Sequence, residues 1–176
     1  MKSFSEIQNA CEVWPLEEET YIETVQAYRD MVYRLALHDC RNRQDAEDVM
    51  QIVFLKLLKN NPVFESEEHR RSWLVRVTVN ECRRLFVSPW RKVQLTDQMP
   101  GEKEKAWEPR EDSLILEAVM KLPRKYRIPV YLYYYEDYSV AEMSRLLDRK
   151  VSTLQSQLMR ARKLLRKLLE EAGYDG

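Results

Sequence analysis

Apolar side chains recur along this chain with the three- and four-residue alternation of helices that each bury one face. The clearest case starts at Asp45, where Ala46, Val49, Met50, Val53, Phe54, Leu57 and Leu58 form one unbroken stripe. Such a stripe predicts a core helix, ended by Asn60, Asn61 and Pro62. Upstream, Ile22, Val25, Tyr28, Val32, Leu35 and Ala36 predict a helix over 16–39, broken by the segment CRNRQ. Downstream, Leu74, Val77, Cys82 and Leu85 predict the inner side of a third helix over 67–87. At 100° per residue, Arg76, Asn80 and Arg83 fall on its opposite side, with Trp73 beside them.

The pattern stops at 88–111, where Pro89, Pro100, Gly101 and Pro109 interrupt any period. A structureless run of that length predicts a linker between two domains rather than a loop within one. Helices are expected again over 113–121 and 124–135, the second interrupted or kinked near Pro129. Tyr133, Tyr134 and Tyr135 spread over about 200° of that helix and cannot share one core. Ser139-Val-Ala-Glu142 reads as a capping box before a short helix that turns Met143, Leu146 and Leu147 inward. After the turn Asp148-Arg149-Lys150, Ser152 or Thr153 is expected to cap a long helix reaching about Glu171. Short helix, tight turn and long basic helix make a helix-turn-helix pattern. The long helix turns Leu154, Leu158, Ala161, Leu165 and Leu168 inward. Its other side carries Gln155, Ser156, Met159, Arg160 and Lys163.

Composition sharpens this all-α reading. Only 3 glycines among 176 residues disfavour turn-rich β folds and glycine-loop nucleotide sites. The formal net charge is zero, from 29 basic and 29 acidic side chains, yet the charge is segregated. Segments 70–92 and 148–167 each carry net +6, whereas 1–30 carries −5 and 93–112 carries −3. Two basic blocks, each on a helix with an apolar opposite face, favour nucleic acid over ordinary solvated faces. No run approaches the roughly 18 apolar residues of a spanning helix, and no signal peptide is evident. Cys11, Cys40 and Cys82 are odd in number and far apart, which fits reduced thiols in the cytoplasm. His38 and Cys40 lack the further ligands that zinc requires. Asp45 and Glu47 do not share a helix face as a metal-dependent nuclease would need. No P-loop, nucleophile elbow or metalloprotease motif occurs, so no enzyme, metal or cofactor is expected.

Chemistry separates the two basic surfaces. In a recognition helix, Gln155 can pair with adenine, Arg160 with guanine, and Met159 can touch a thymine methyl. Arg162, Arg166 and Lys167 suit phosphates. Trp73, Arg76, Asn80, Arg83 and Arg84 combine cations, an amide and an aromatic, as single-stranded bases require. Taken alone, these features also allow a stand-alone helix-turn-helix regulator or a helical interaction module.

Three stretches, DAEDVMQIVFLKLLKN (45–60), SWLVRVTVNECRRLF (72–86) and LPRKYRIPVYLYYYEDYSVAEMSRLLDRKVSTLQSQLMRARKLLRKLL (122–169), resemble the extracytoplasmic-function group of bacterial RNA polymerase sigma factors. The resemblance implies two small helical domains joined by a flexible linker. After an N-terminal segment (1–15) come a three- to four-helix region 2 (16–88), the linker (89–111) and a helix-turn-helix region 4 (112–176). It implies a cytoplasmic factor that directs core polymerase to promoters in response to an envelope or stress signal, with no small-molecule substrate. Asp45, Asp48 and Gln51 would meet the β′ clamp helices of a core polymerase whose β subunit is a further partner. Trp73, Arg76, Asn80, Arg83 and Arg84 would read the minus-ten element. Thr153, Gln155, Ser156, Met159, Arg160, Arg162 and Lys163 would bind the minus-thirty-five element. An anti-sigma protein is implied as a further partner, and no ligand-sensing extension is expected after Gly176. The chain departs from the family in carrying Gln155 and Gln157 where Lys or Arg is frequent. Asp148-Arg149-Lys150 also replaces the usual glycine of the turn, which leaves promoter preference as the least transferable property.

Overall fold

Asn42 sets the start of the best-defined element. Its extended backbone (φ −139, ψ 128) lets its side chain accept the Asp45 amide hydrogen at 3.0 Å. In this computed structural model, which describes residues 18–87 and 113–173, helix α2 therefore spans Arg43–Asn60, two residues ahead of the expected Asp45. Helix α1, Glu18–Cys40, precedes it after a break of only Arg41 and Asn42, and α3, Glu67–Val87, follows. Asn61 closes α2 in the left-handed region, φ 41, with its amide on the Leu57 carbonyl, a conformation asparagine tolerates. The expected N-terminal segment 1–15 and linker 89–111 lie outside the described residues.

The α2 stripe is the centre of the first core. Ala46, Val49, Val53, Phe54 and Leu57 are buried, packed with Val32 and Ala36 of α1 and Leu74 and Cys82 of α3. On α1 the expected inward face holds for Val25, Tyr28, Val32, Leu35 and Ala36, and departs from the sequence reading at its start. Ile22 is 46% exposed, while the Tyr21 hydroxyl reaches the Phe54 carbonyl and Thr24 is buried on the Thr20 carbonyl. On α3, Val77 and Leu85 are only half-buried, whereas Val75 and Val79 are fully enclosed. The reason is a second neighbour. Val75 and Val79, with Leu35 of α1, belong to the apolar cluster of the C-terminal helices.

Those helices are α4 (Ser113–Lys121), α5 (Arg124–Tyr134), α6 (Val140–Leu147) and α7 (Val151–Glu171). Helix α5 continues through Pro129, since the whole run from Tyr126 to Leu132 is buried. Burial of such side chains, about 1.5–3 kcal/mol for each large one, outweighs the hydrogen bond that proline cannot make. Ser139 caps α6 with both halves of the capping box to Glu142, as the sequence pattern predicts. The helix ends at Asp148 in the left-handed region, φ 51, where a glycine is usual. Ser144 secures this turn by donating its hydroxyl to the Arg149 carbonyl at 2.6 Å. Neither Ser152 nor Thr153 caps α7. It begins at Val151, and Lys150 at its N-cap supplies no side-chain hydrogen bond. Leu154, Leu158 and Ala161 are buried as expected, and Leu165 and Leu168 are half-buried against the same cluster.

Candidate nucleic-acid interface

Burying Leu154, Leu158 and Ala161 forces the other side of α7 outward. Thr153, Gln155, Ser156, Met159, Arg160 and Lys163 are all exposed, and Met159 at 51% is a large apolar group left in water. The first turn adjoins a concavity of about 360 Å3 whose lining includes Lys125, Ser152, Thr153, Ser156 and Arg160. The uncapped first amides of a helix are donors seeking an acceptor, and the helix dipole favours an anion there. Lys125 adds a cation from α5 that the periodicity of α7 could not reveal. Arg162 is exposed but tethered, its Nε donating to the Tyr134 hydroxyl at 2.6 Å. That bond joins α7 to one of the tyrosines left outside the core.

On α3, Arg76 and Asn80 are exposed and Arg83 is half-buried, on one face as the spacing predicts. That face looks into a cleft of about 400 Å3 whose far wall is Arg145, Leu146, Leu147 and Asp148 of the C-terminal half. Arg76 Nη2 donates to the Arg145 carbonyl at 3.2 Å, and Arg83 Nη2 to the Leu147 carbonyl at 3.4 Å. Trp73 is half-buried against the first core, edge-on to Phe64 at 5.8 Å. Arg84 is exposed and pairs with the buried Glu81, which also holds Lys56 of α2. Glu81 thus compensates one cation of the block read from the sequence as strongly basic, Arg84, and one from α2, Lys56.

The outer face of α2 presents Asp48 and Gln51 beside the exposed Ile52 and Leu55, the latter 59% accessible. Asp45 lies half-buried in the first turn. The apolar pair next to the polar candidates falls on the face opposite the core, outside the stripe that the periodicity marks.

The junction between the two sets of helices carries its own polar cluster. Arg124 makes a bidentate pair with the buried Asp39, at 2.7 and 2.6 Å, and stacks 3.6 Å over the Phe86 ring. Arg127, itself buried, donates Nη2 to the Asp39 carbonyl at 3.0 Å, while its Nε and Nη1 have no partner. Burial, and next the neighbouring Arg41 charge, lower the Arg127 guanidinium to about 10. Arg71 grips Glu136 through both carboxylate and carbonyl, at 2.6 and 2.8 Å. His38 is enclosed next to Tyr131, ring centroids 4.6 Å apart. Burial first, then the Arg127 and Arg34 charges, depress His38 to about 4.

A helix-turn-helix with a free basic recognition face, beside a helical unit with a cationic and aromatic face, defines a DNA-binding transcription protein. The family models Sigma-70 region 2 and Sigma-70, region 4 match residues 24–92 and 112–165. The ECF RNA polymerase sigma factor SigM of Mycobacterium tuberculosis is 30% identical over 142 residues, covering 78% of this chain and 71% of that protein. SigW of Bacillus subtilis is 25% identical over 175 residues, covering 88% and 91%. The fold resembles that of the sigma factor RpoE in its complex with the anti-sigma factor NepR from Bartonella quintana. There the TM-score is 0.70 at 18% identity, over 86% of this chain and 98% of that one. CnrH in complex with the cytosolic domain of CnrY gives 0.61, over 88% and 90%. The chain belongs to the extracytoplasmic-function group of sigma-70 RNA polymerase sigma factors, and its function is promoter-specific initiation of transcription.

Proposed function

We propose that the work of initiation is divided between three surfaces of this chain. The exposed side of α7 reads the minus-thirty-five element in the major groove. Gln155, Ser156, Met159 and Arg160 meet base edges, and Thr153, Arg162 and Lys163 hold phosphates. The α3 face, with Trp73, Arg76, Asn80, Arg83 and Arg84, takes the unpaired minus-ten strand by stacking and cationic contacts. Asp45, Asp48 and Gln51 of α2 dock the β′ clamp helices of core polymerase, and Ile52 and Leu55 add apolar area to that contact. The two units therefore correspond to region 2 at 16–88 and region 4 at 112–176, linked by 89–111.

One observation supports this reading above the others. The outward side of α7 exposes Gln155, Met159, Arg160 and Lys163 at the positions a recognition helix uses, and solvation does not explain the exposed methionine. Action is by binding, without catalysis, cofactor or small-molecule substrate, in the cytoplasm where core polymerase works. Among the described residues no helix is long and apolar enough to cross a membrane. An anti-sigma protein is the expected negative partner, as NepR is in the RpoE complex, and an envelope or stress signal the expected trigger. The test is a pull-down with purified core polymerase. Retention of the chain, weakened by Asp48→Ala with Gln51→Ala, is expected; absence of any retention overturns the assignment.

A further inference from the structure

Cys40 and Cys82 lie 42 residues apart in the chain, yet their Sγ atoms stand 3.8 Å apart inside the first core. Cys40 is the last residue of α1, and Cys82 sits in the C-terminal half of α3. Either thiol alone would be a small apolar filler of that core. What sets the pair apart is the sulfur-to-sulfur contact and the place of Cys40. It is the outer of the two, 7% exposed against 0% for Cys82. The chain leaves α1 directly after it, through Arg41 at φ 58, so Cys40 stands where a helix opens most readily. The two sulfurs need to approach by only about 1.8 Å to reach bonding distance. The hydrogen bond with Cys40, and next burial, push the Cys82 thiol above its ordinary value, so Cys82 keeps its proton at neutral pH. A first oxidation therefore falls on Cys40.

We propose that Cys40 and Cys82 form a reversible modification site, a dithiol that hydrogen peroxide converts to a disulfide tying α1 to α3. The Cys40 thiolate attacks one peroxide oxygen, the O–O bond breaks, and the other oxygen leaves as hydroxide, which takes up the Cys40 proton to become water. The Cys82 sulfur then attacks the Cys40 sulfenic acid. The S–S bond forms, the S–O bond breaks, and the hydroxyl departs with the Cys82 proton as a second water. Two thiols thus give up two electrons and two protons, and one peroxide is reduced to two waters. Bridges that form in a reducing cytoplasm are transient or redox-sensing, and this one is of that kind. The loop it closes contains the whole of α2, whose outer face carries Asp48 and Gln51. A cross-link restrains the unfolded chain, so the oxidised protein holds α2 in place more firmly than the reduced protein. The chain is then most stable under the oxidising condition itself, without any partner.

The test uses the full chain carrying Cys11→Ser, which leaves this pair as its only thiols. The protein is treated with hydrogen peroxide and then alkylated. Intact mass should show that both thiols are lost to alkylation, and a digest should yield peptides joined through Cys40 and Cys82. Dithiothreitol should restore both thiols. The melting temperature should rise by roughly 5–15 °C on oxidation and fall back on reduction. Adding Cys82→Ala removes the resolving sulfur. Cys40 should then stop at a sulfenic acid that dimedone traps, and the rise in melting temperature should vanish. Thiols that stay alkylatable after peroxide, or a Cys40 oxidised without a bridge to Cys82, overturn the site. A bridge that leaves the melting temperature unchanged or lower overturns its stabilising role.

Discussion

Met159 stands half in water between Ser156 and Arg160, on a helix whose other side is packed around Leu154 and Leu158. An apolar side chain so placed gains nothing from the fold, and the proposed contact with a thymine methyl would account for it. Arg160→Ala and Gln155→Ala should each cost about 1–3 kcal/mol of discrimination at a single base position. Competition between wild-type and base-substituted promoters in the presence of core polymerase measures this. A uniform loss across all promoters would instead assign these residues to the backbone. Lys163, one turn further along, is proposed to hold a phosphate. Its removal should leave sequence preference intact and reduce the salt slope of binding by roughly 0.9. Arg162 differs because its guanidinium is already committed to the Tyr134 hydroxyl. Tyr134→Phe should release it and leave the fold's stability almost unchanged, since both groups are exposed.

Among the elements, α6 depends on its cap. Ser139→Ala removes the acceptor for the Glu142 amide and should cost about 1 kcal/mol in chemical denaturation. The C-terminal turn of α1 carries a pH dependence. The folded protein keeps His38 neutral down to about pH 4, whereas the unfolded chain takes up its proton near 6.5. Between those values the unfolded state binds more protons, so stability falls as pH drops. The loss is on the order of 1–3 kcal/mol, and His38→Gln should remove that share of the slope in melting curves taken from pH 7 to 4. Much at this scale was legible in the sequence. The α2 stripe, the capping box and the inward leucines of α7 follow from periodicity and local hydrogen bonding, which need only neighbours in the chain. The burial of Val75 and Val79, the exposure of Ile22 and the role of Lys125 were not legible. Each depends on which other helices come to rest where, and no periodicity within one helix carries that information. The start of α7 was missed for a related reason. Ser152 and Thr153 are good caps by type, but the left-handed Asp148 ends α6 soon enough for Val151 to begin the next helix uncapped.

Across the whole molecule, a net charge of zero coexists with two strongly basic blocks. The structure shows where part of that positive charge is spent. Glu81 holds Lys56 and Arg84, Asp39 holds Arg124, and Glu136 holds Arg71. On α7, Arg160, Lys163 and Arg166 stay exposed. A chain of this kind has little general attraction for DNA and gains promoter affinity through its place in a larger assembly. Free protein should therefore bind random duplex weakly at physiological salt, and a filter-binding titration against the assembled polymerase compares the two. The most direct test of the central claim is start-site mapping in vitro with purified core polymerase, with and without this protein. The account predicts discrete start sites only when the protein is present, preceded by two shared sequence elements, with the upstream element's preference altered by Arg160→Ala. Start sites that are the same with and without the protein would contradict it.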